Sequence, residues 1–397
     1  MKKKKKGKEK YTLGELFCGP GGLALGAENT GKFKHKWAID IDPDTIETFK
    51  SNHKNCKTHT MDARKIDEEF VKKLSNVDGF IFGFPCNDFS IAGKKRGLKG
   101  EYGPLYKRAC FFLKNLRKKP KFFLAENVSN IAIPTLNKKS GRSDLQLTEE
   151  EKNRDNYTNF RKIMIDLAAC GYTIYADTLN FEKLEVPQTR RRMILFGILE
   201  KYYEKTNYEK LSFSCSEITS KHALDQLYKF AKNNKVYNHE LPNHSDEIIK
   251  RLKKTKPGQN VWDIGGLPDV KSARMSNIYK KLDPNKPAYT VTGSGGGGTH
   301  MYHYKDPRAL TNRERATLQT FPFKYKFSGT KESIRKQIGM AVPVNAAKYL
   351  MKNVYKALQS RQNNKSVHDW FIRANTKKLY IKSFDEIEDF DQEEMKF

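Results

Sequence analysis

A single cysteine stands where an apolar run of the sequence gives way to a polar loop. Residues 77–84 are apolar apart from a break at Asp78 and Gly79, and Pro85 and Cys86 follow directly. Such a run is typical of a buried parallel strand, so Cys86 is expected at the carboxyl edge of a sheet, where ligands gather in open α/β folds. A thiolate there could act as a nucleophile, but a lone cysteine is more often a small buried hydrophobic residue.

Candidate acid–base and oxygen-binding groups flank two other apolar runs. Residues 121–125 predict a buried strand that ends at Glu126, and Arg190 and Arg192 precede the apolar run 193–199. A carboxyl group at the end of a strand can act as a general acid or base. Arginines can hold a substrate oxygen, although a basic run is by default a solvated surface.

A strand, a glycine-rich turn and a helix open the folded part of the sequence. Residues 11–17 predict the strand and residues 23–29 the helix, with Gly19, Gly21 and Gly22 between them. Glycines let a ligand approach the backbone closely, but tight strand-to-helix turns use glycine for their own geometry as well. No Lys-Ser/Thr pair follows, which argues against a phosphate-binding loop.

Two aspartates stand at the ends of the next predicted strands. Asp40 lies in the strand 35–41, about 20 residues past the glycines, a spacing that suits a contact with ribose hydroxyls. Asp42 precedes Pro43 and is the better helix cap, which leaves Asp40 for a ligand. Asp62 follows the strand 57–61, where its carboxylate could accept from an adenine amino group. The pattern suits an adenosyl ligand without a pyrophosphate.

The composition indicates a large basic protein. The 397 residues suffice for two or three domains, and 12% aromatic content argues against disorder. Lys and Arg total 75 against 46 Asp and Glu, a net charge of +29, which makes nucleic acid the first candidate partner. The alternative is a general bias toward lysine. The first ten residues, seven of them lysine, predict a disordered basic arm rather than a signal peptide.

The six cysteines are scattered, with no C-x-x-C pair and no His-Cys cluster. This pattern predicts neither disulfides nor a metal site, and it indicates a reducing compartment, the cytoplasm. No stretch is long and apolar enough to span a membrane.

The alternation of strands and helices continues to residue 199 and then loses its rhythm. Residues 200–290 predict a separate, smaller module. Thr311 and Glu314 form a capping box that opens a short helix. Apolar residues at positions 344, 347, 351, 354 and 358 predict a final helix packed on the core, and residues 384–397, with seven acids and one lysine, predict a solvated acidic tail.

Six short motifs, in order, resemble those of the cytosine-5 DNA methyltransferases of bacterial restriction–modification systems, and they run from residue 17 to residue 343. They are Phe17-x-Gly19-x-Gly21-Gly22, Pro85-Cys86, Glu126-Asn127-Val128, Gln188-x-Arg190-x-Arg192, Arg308-x-Leu310-Thr311-x-Arg313-Glu314 and Gly339-x-Ala341-Val342-Pro343.

The resemblance implies an α/β, Rossmann-like S-adenosylmethionine-dependent methyltransferase domain and a second, smaller target-recognition domain. The implied division is a catalytic domain at 1–199, a recognition domain at 200–305, a hinge with the ninth motif at 306–325, and a return to the catalytic domain at 326–397. The implied partners are double-stranded DNA and a cognate restriction endonuclease, for a monomeric enzyme associated with the bacterial nucleoid.

The resemblance also implies a role for each motif residue. Cys86 would add to C6 of a flipped cytosine, Glu126 would protonate or hydrogen-bond its N3, Arg192 would hold its O2, and Arg190 would support the site. Contacts to S-adenosylmethionine would come from Phe17, Gly19, Gly21, Gly22, Asp40, Asp62 and Pro85. No metal is implied.

Two positions depart from the family pattern. Asn87 replaces the usual glutamine after Pro-Cys, and Met340 replaces an asparagine in the closing motif. The sequence leaves three alternatives open. They are an RNA cytosine methyltransferase, a catalytically silent DNA-binding homologue and, disfavoured by the glycine pattern, a nicotinamide-dependent oxidoreductase.

Overall fold

The structure of the protein is a computed structural model that describes residues 10–85, 103–131, 158–211, 217–260, 280–293, 301–360, 368–377, 379–383 and 386–389. Cys86 and Asn87, two residues singled out by the sequence, lie outside the described residues.

One ten-stranded sheet runs through the molecule in the order β10-β9-β8-β6-β7-β5-β4-β1-β2-β3. The strands are β1 (Tyr11–Leu16), β2 (Phe33–Asp40), β3 (Lys57–Thr60), β4 (Gly79–Phe82), β5 (Phe122–Val128), β6 (Tyr172–Asn180), β7 (Arg191–Leu199), β8 (Trp370–Ile372), β9 (Leu379–Ser383) and β10 (Glu386–Asp389). The strands β3, β2, β1, β4 and β5 are parallel, and β7 is antiparallel to both β5 and β6. The strand order reverses between β1 and β4, and a crevice at such a reversal is the usual ligand site of this fold class.

Helices cover both faces of the sheet. They are α1 (Gly22–Glu28), α2 (Pro43–Asn52), α3 (Glu68–Lys73), α4 (Tyr106–Asn115), α5 (Thr158–Ala168), α6 (Ser220–Asn233), α7 (Asp246–Lys254), α8 (Asn312–Leu318), α9 (Lys331–Met340) and α10 (Val344–Gln359). Residues of α3, α4 and α5 share one hydrophobic core with the sheet, and residues of α1 and α10 share another. The predicted α/β fold class is confirmed.

The last helix returns to the beginning of the chain, as its apolar pattern predicts. Val344, Ala347, Met351 and Val354 are buried, and α10 packs directly on α1. A side chain at Gly26 would place its Cβ only 2.3 Å from Cβ of Ala347, so glycine is needed for this close approach. The C-terminal part of the protein thereby supports the helix that follows the glycine turn.

A third core lies beside the sheet and is built from residues 223–344. It joins Ala223 and Leu282 to Leu318 of α8 and Ile338 of α9. Residues on both sides of position 325 therefore pack together, although the predicted division places a hinge at 306–325. The domain boundaries stay a prediction.

Part of the predicted acidic tail is ordered as a strand. Residues Glu386–Asp389 form the edge strand β10, antiparallel to β9, and the other residues of 384–397 lie outside the described residues, so the predicted solvation of the tail stays a prediction. Backbone hydrogen bonds at an open sheet edge do not depend on side-chain polarity, so an acidic segment can pair there. Among the described residues, no helix is long and apolar enough to cross a membrane.

Candidate active site

Glu126 and Arg192 meet at the edge of the sheet where β5 and β7 lie side by side. In this antiparallel pair Val128 lies opposite Arg192, and the Arg192 Nε atom is 3.0 Å from Oε1 of Glu126. Both side chains are largely buried, with 14% and 12% of their surfaces exposed. The Nε–H is not aligned for a hydrogen bond with Oε1, so within the described chain this buried oxygen has no hydrogen-bond partner. A buried, unsatisfied acceptor is costly unless a substrate group supplies the missing bond.

The chain that leads to Cys86 passes beside this pair. A Cβ built on Gly83 would lie 3.8 Å from Oε2 of Glu126, and the Asn127 amide donates a 3.0 Å hydrogen bond to the Phe84 carbonyl. Pro85, the last described residue before the cysteine, is half-buried. The acid motif thus contacts the two residues just before the nucleophile motif, and the position of the thiol itself lies outside the described residues.

Gln188 and Arg190 point away from Glu126 toward the third core. The Arg190 guanidinium donates to the carbonyls of Val291, Gly339 and Ala341 at 3.1 to 3.4 Å, and only 3% of the residue is exposed. The Gln188 amide nitrogen donates to the Leu318 carbonyl at 2.8 Å. Arg190 therefore holds the backbone of the closing motif, which is a positioning contact.

The three glycines of the turn after β1 differ in how much space a side chain would have. Gly19 has a φ of +56°, and nothing lies within 4 Å of the Cβ that a side chain would add. A Cβ on Gly21 would meet His53 Nε2 at 2.5 Å, and one on Gly22 would meet the Val342 carbonyl at 2.1 Å. Gly21 and Gly22 are therefore required by the protein's own packing, and only Gly19 faces open space.

The Asp40 carboxylate holds the backbone of the glycine turn. Its two carboxylate oxygens accept the backbone N–H groups of Gly19 at 3.0 Å and Asp42 at 3.1 Å, and burial raises the pKa of Asp40. Phe17, just before the turn, adopts a φ of +58° and packs against the sheet core. The predicted cap is confirmed, since Asp42 accepts from the Thr45 N–H at the start of α2.

Asp62 lies at the end of β3, and its carboxylate is already occupied. Arg64 donates to both of its oxygens at 2.8 to 3.1 Å, and this pairing lowers the pKa of Asp62. An adenine amino group would have to share this acceptor with Arg64.

Ile41 and Met340 are exposed apolar residues near the glycine-turn end of the sheet, and the sequence patterns did not single out Ile41. Ile41 lies between Asp40 and Asp42 and is 56% exposed, and Met340 at the end of α9 is 55% exposed. Lys336 lies one turn before Met340, and its Nζ is 4.0 Å from Oδ2 of Asp42. This places α9 near the end of β2. Ile41 ends a strand-like apolar pattern, which predicts core burial; only its exposure in the structure reveals an available apolar surface.

These features fit an adenosyl ligand. The open face of Gly19 gives backbone access, Asp40 fixes the turn beside the end of β2, and Ile41 offers an apolar surface for a purine ring. Among the described residues, no three His, Cys, Asp or Glu side chains form a group that could hold a metal ion.

The motif at 308–314, in the predicted hinge, makes its contacts within the protein. Glu314 completes the predicted capping box with Thr311 and receives both arms of Arg308 at 2.8 Å. Arg313 is fully buried and donates to the carbonyls of Tyr237, Pro322 and Tyr325. The charges of this motif are thus used to hold α8 against its neighbours.

Comparison with known proteins identifies the family of this chain. The family model for C-5 cytosine-specific DNA methylases matches residues 11–356. The chain is 39% identical to the type II methyltransferase M.BbvI of Brevibacillus brevis, over 95% of this chain and 100% of that protein. It is 32% identical to M.NgoFVII of Neisseria gonorrhoeae, over 90% of each.

The fold also matches solved structures. A putative DNA modification methyltransferase from an E. coli prophage aligns with a TM-score of 0.63 at 23% identity, over 88% of this chain and 100% of that one. The methyltransferase EhMeth of Entamoeba histolytica aligns with a TM-score of 0.59 at 17% identity, over 88% and 99%. The predicted family is confirmed: the chain belongs to the C-5 cytosine-specific DNA methylases of the bacterial restriction–modification type and is a DNA (cytosine-5-)-methyltransferase.

Proposed function

We propose that the protein methylates C5 of a cytosine flipped out of a short, specific duplex sequence, through a covalent bond between Cys86 and C6. The observation that supports this most directly is the buried Glu126–Arg192 pair beside Gly83, three residues before Cys86. Glu126 Oε1 lacks an aligned donor within the described chain, and a cytosine edge can supply one.

The chemistry requires these groups because cytosine C5 is a weak nucleophile. The Cys86 thiolate adds to C6, which makes C5 enamine-like and able to take a methyl group. Glu126 hydrogen-bonds or protonates N3 and so stabilises the charge that the addition creates, while Arg192 holds O2. A base then removes the C5 proton, and the thiolate leaves. The target cytosine must flip out of the DNA double helix to reach the buried Glu126–Arg192 pair.

S-adenosylmethionine supplies the electrophilic methyl group when bound. Its adenosyl portion would lie against Ile41 and the end of β2, and the backbone at Gly19 would face its methionine portion. Phe17, Gly21, Gly22 and Asp40 shape this turn from the protein side, and Pro85, three residues past the end of β4, is a further proposed contact with the cofactor. Asp62 would contribute only by sharing its carboxylate with Arg64.

The recognition of DNA is assigned to the module at 200–305. Within it, α7 exposes Lys250, Lys253 and Lys254 on a short helix, which suits contacts with phosphates. Relatives named as type II methyltransferases support a role in protecting host DNA beside a cognate endonuclease. A monomer is proposed, and these family matches favour DNA over RNA as the substrate.

Bisulfite sequencing of DNA from a methylation-free host tests the proposal. Expression of the wild-type chain should protect cytosines at one short motif, and Cys86→Ala should remove the protection. Cys56→Ala is the matched control, since burial raises the pKa of this half-buried thiol to about 12 and makes it unreactive. Retained protection in Cys86→Ala would refute the mechanism. A folded wild-type protein that binds S-adenosylmethionine but protects no cytosine would point to RNA or to a silent homologue.

A further inference from the structure

A chain of buried polar side chains lies beneath the glycine turn and takes no part in the proposed chemistry. It consists of the buried Glu15, His35, His53 and Tyr325 and the half-buried Glu28 that joins them, here called the support network. His35 Nε2 is 3.2 Å from Glu15, His35 Nδ1 is 3.5 Å from Glu28, and His53 Nδ1 is 2.9 Å from the other oxygen of Glu28. At most 5% of Glu15, His35, His53 and Tyr325 is exposed. So many titratable groups are seldom buried without a use.

The network ends on the backbone of the turn. The Tyr325 hydroxyl donates a 2.5 Å hydrogen bond to the Pro20 carbonyl and lies 3.3 Å from Nε2 of His53. His53 and Tyr325 are also the groups that a side chain at Gly21 would strike, at 2.5 and 2.9 Å. They form the closed underside of the turn, opposite the open face of Gly19.

The hydrogen-bond chemistry fixes the direction of this contact. A carbonyl can only accept, so the Tyr325 proton points to Pro20, and the hydroxyl oxygen is left facing Nε2 of His53. Glu28 faces the other nitrogen of His53 and orients the ring. Although burial lowers it, the neighbouring carboxylates of Glu15 and Glu28 raise the pKa of His35 to about 9, so a cation at His35 separates the two carboxylates at neutral pH.

We propose that Tyr325, oriented by His53 and Glu28, is a positioning residue for the methyl donor, because its hydroxyl holds the Pro20 carbonyl and with it the ligand-facing backbone of residues 19–21. The inference rests on the proposed use of this turn for S-adenosylmethionine. Tyr325 touches no reacting atom, so it acts through the turn alone.

The same residue connects the turn to the rest of the molecule. The Tyr325 carbonyl accepts from Arg313, and Arg313 also donates to the Tyr237 carbonyl at 2.9 Å. The turn at Pro20 is thus held by a residue 305 positions away, which is itself tied to the module proposed for recognition.

Calorimetric titration of S-adenosylmethionine into the full-length protein tests the proposal. Tyr325→Phe removes only the hydroxyl and should raise the Kd about 3- to 10-fold, as expected for one hydrogen bond. Tyr172→Phe is the matched control: Tyr172 is also buried and donates to a proline carbonyl, that of Pro120 at 2.8 Å, on β6, which three strands separate from β1. It should bind with the wild-type Kd.

A second pair of variants separates positioning from general damage. His53→Gln keeps a polar side chain between Glu28 and Tyr325 and should bind S-adenosylmethionine more tightly than His53→Leu. In steady-state assays Tyr325→Phe should raise KM for S-adenosylmethionine and leave kcat at saturation within about twofold. A wild-type Kd in Tyr325→Phe would overturn the proposal while leaving the proposed function intact. A wild-type protein that fails to bind S-adenosylmethionine would overturn both.

Discussion

At the scale of single residues, the two arginines of the motif at 188–192 make different contacts. Arg192 pairs with the buried carboxylate of Glu126, whereas Arg190, two positions earlier, holds backbone carbonyls of the third core. The motif therefore connects Glu126, the candidate acid, to the closing motif at 339–343. A shift of β7 along β5 would disturb both contacts at once.

Glu126→Gln tests the acid at this scale. The amide keeps the shape of the side chain but cannot donate a proton to N3, so the rate of methyl transfer should fall by about 10²- to 10⁴-fold. Because Glu126 does not belong to the glycine turn, the Kd for S-adenosylmethionine should be unchanged. Single-turnover transfer of a radiolabelled methyl group gives the rate, and calorimetry gives the Kd. A variant with the wild-type rate would exclude Glu126 as the acid.

At the scale of elements, the closing motif is held by contacts that no local pattern predicts. The backbones at Gly293 and Gly339 meet so closely that a Cβ on Gly339 would lie 1.9 Å from the Gly293 nitrogen. Arg190 bonds to carbonyls on both segments. The start of β7, the segment before residue 294 and the end of α9 thus form one junction.

Arg190→Lys tests the junction. A lysine cannot bridge the carbonyls of Val291, Gly339 and Ala341 with one planar group, and carbonyls left unpaired in a buried site cost about 1–3 kcal/mol each. We expect the free energy of unfolding to fall by roughly 2–4 kcal/mol, measured by urea denaturation. Arg191→Lys is the control, because Arg191 is exposed and its exchange should change stability by less than about 0.5 kcal/mol. Equal stability in both variants would show that the bonds of Arg190 are dispensable.

At the scale of the whole molecule, the sequence predicts what local patterns determine and misses what distant contacts determine. Apolar runs place β1, β2, β4, β5 and β7 correctly, and the capping box at Thr311 forms as predicted. The support network could not be predicted, since His53 and Tyr325 are 272 positions apart. The exposure of Ile41 was missed because it depends on what covers the end of β2. The strands β8, β9 and β10 were missed because strands of three to five residues have little pattern of their own.

The net charge of the whole molecule predicts that its affinity for DNA depends steeply on salt. With a net charge of +29, binding to duplex DNA should release many counterions, so affinity should fall by roughly 10³- to 10⁵-fold between about 50 and 200 mM salt if six to ten phosphates are contacted. Lys253→Gln on α7 should reduce the slope of log K against log salt by about one, whereas Lys72→Gln on α3, where Glu68 pairs with the lysine, should not. Fluorescence anisotropy of labelled duplex DNA measures both slopes. A flat salt dependence in the wild type would contradict the electrostatic argument, and equal slopes in the two variants would remove α7 from the DNA surface.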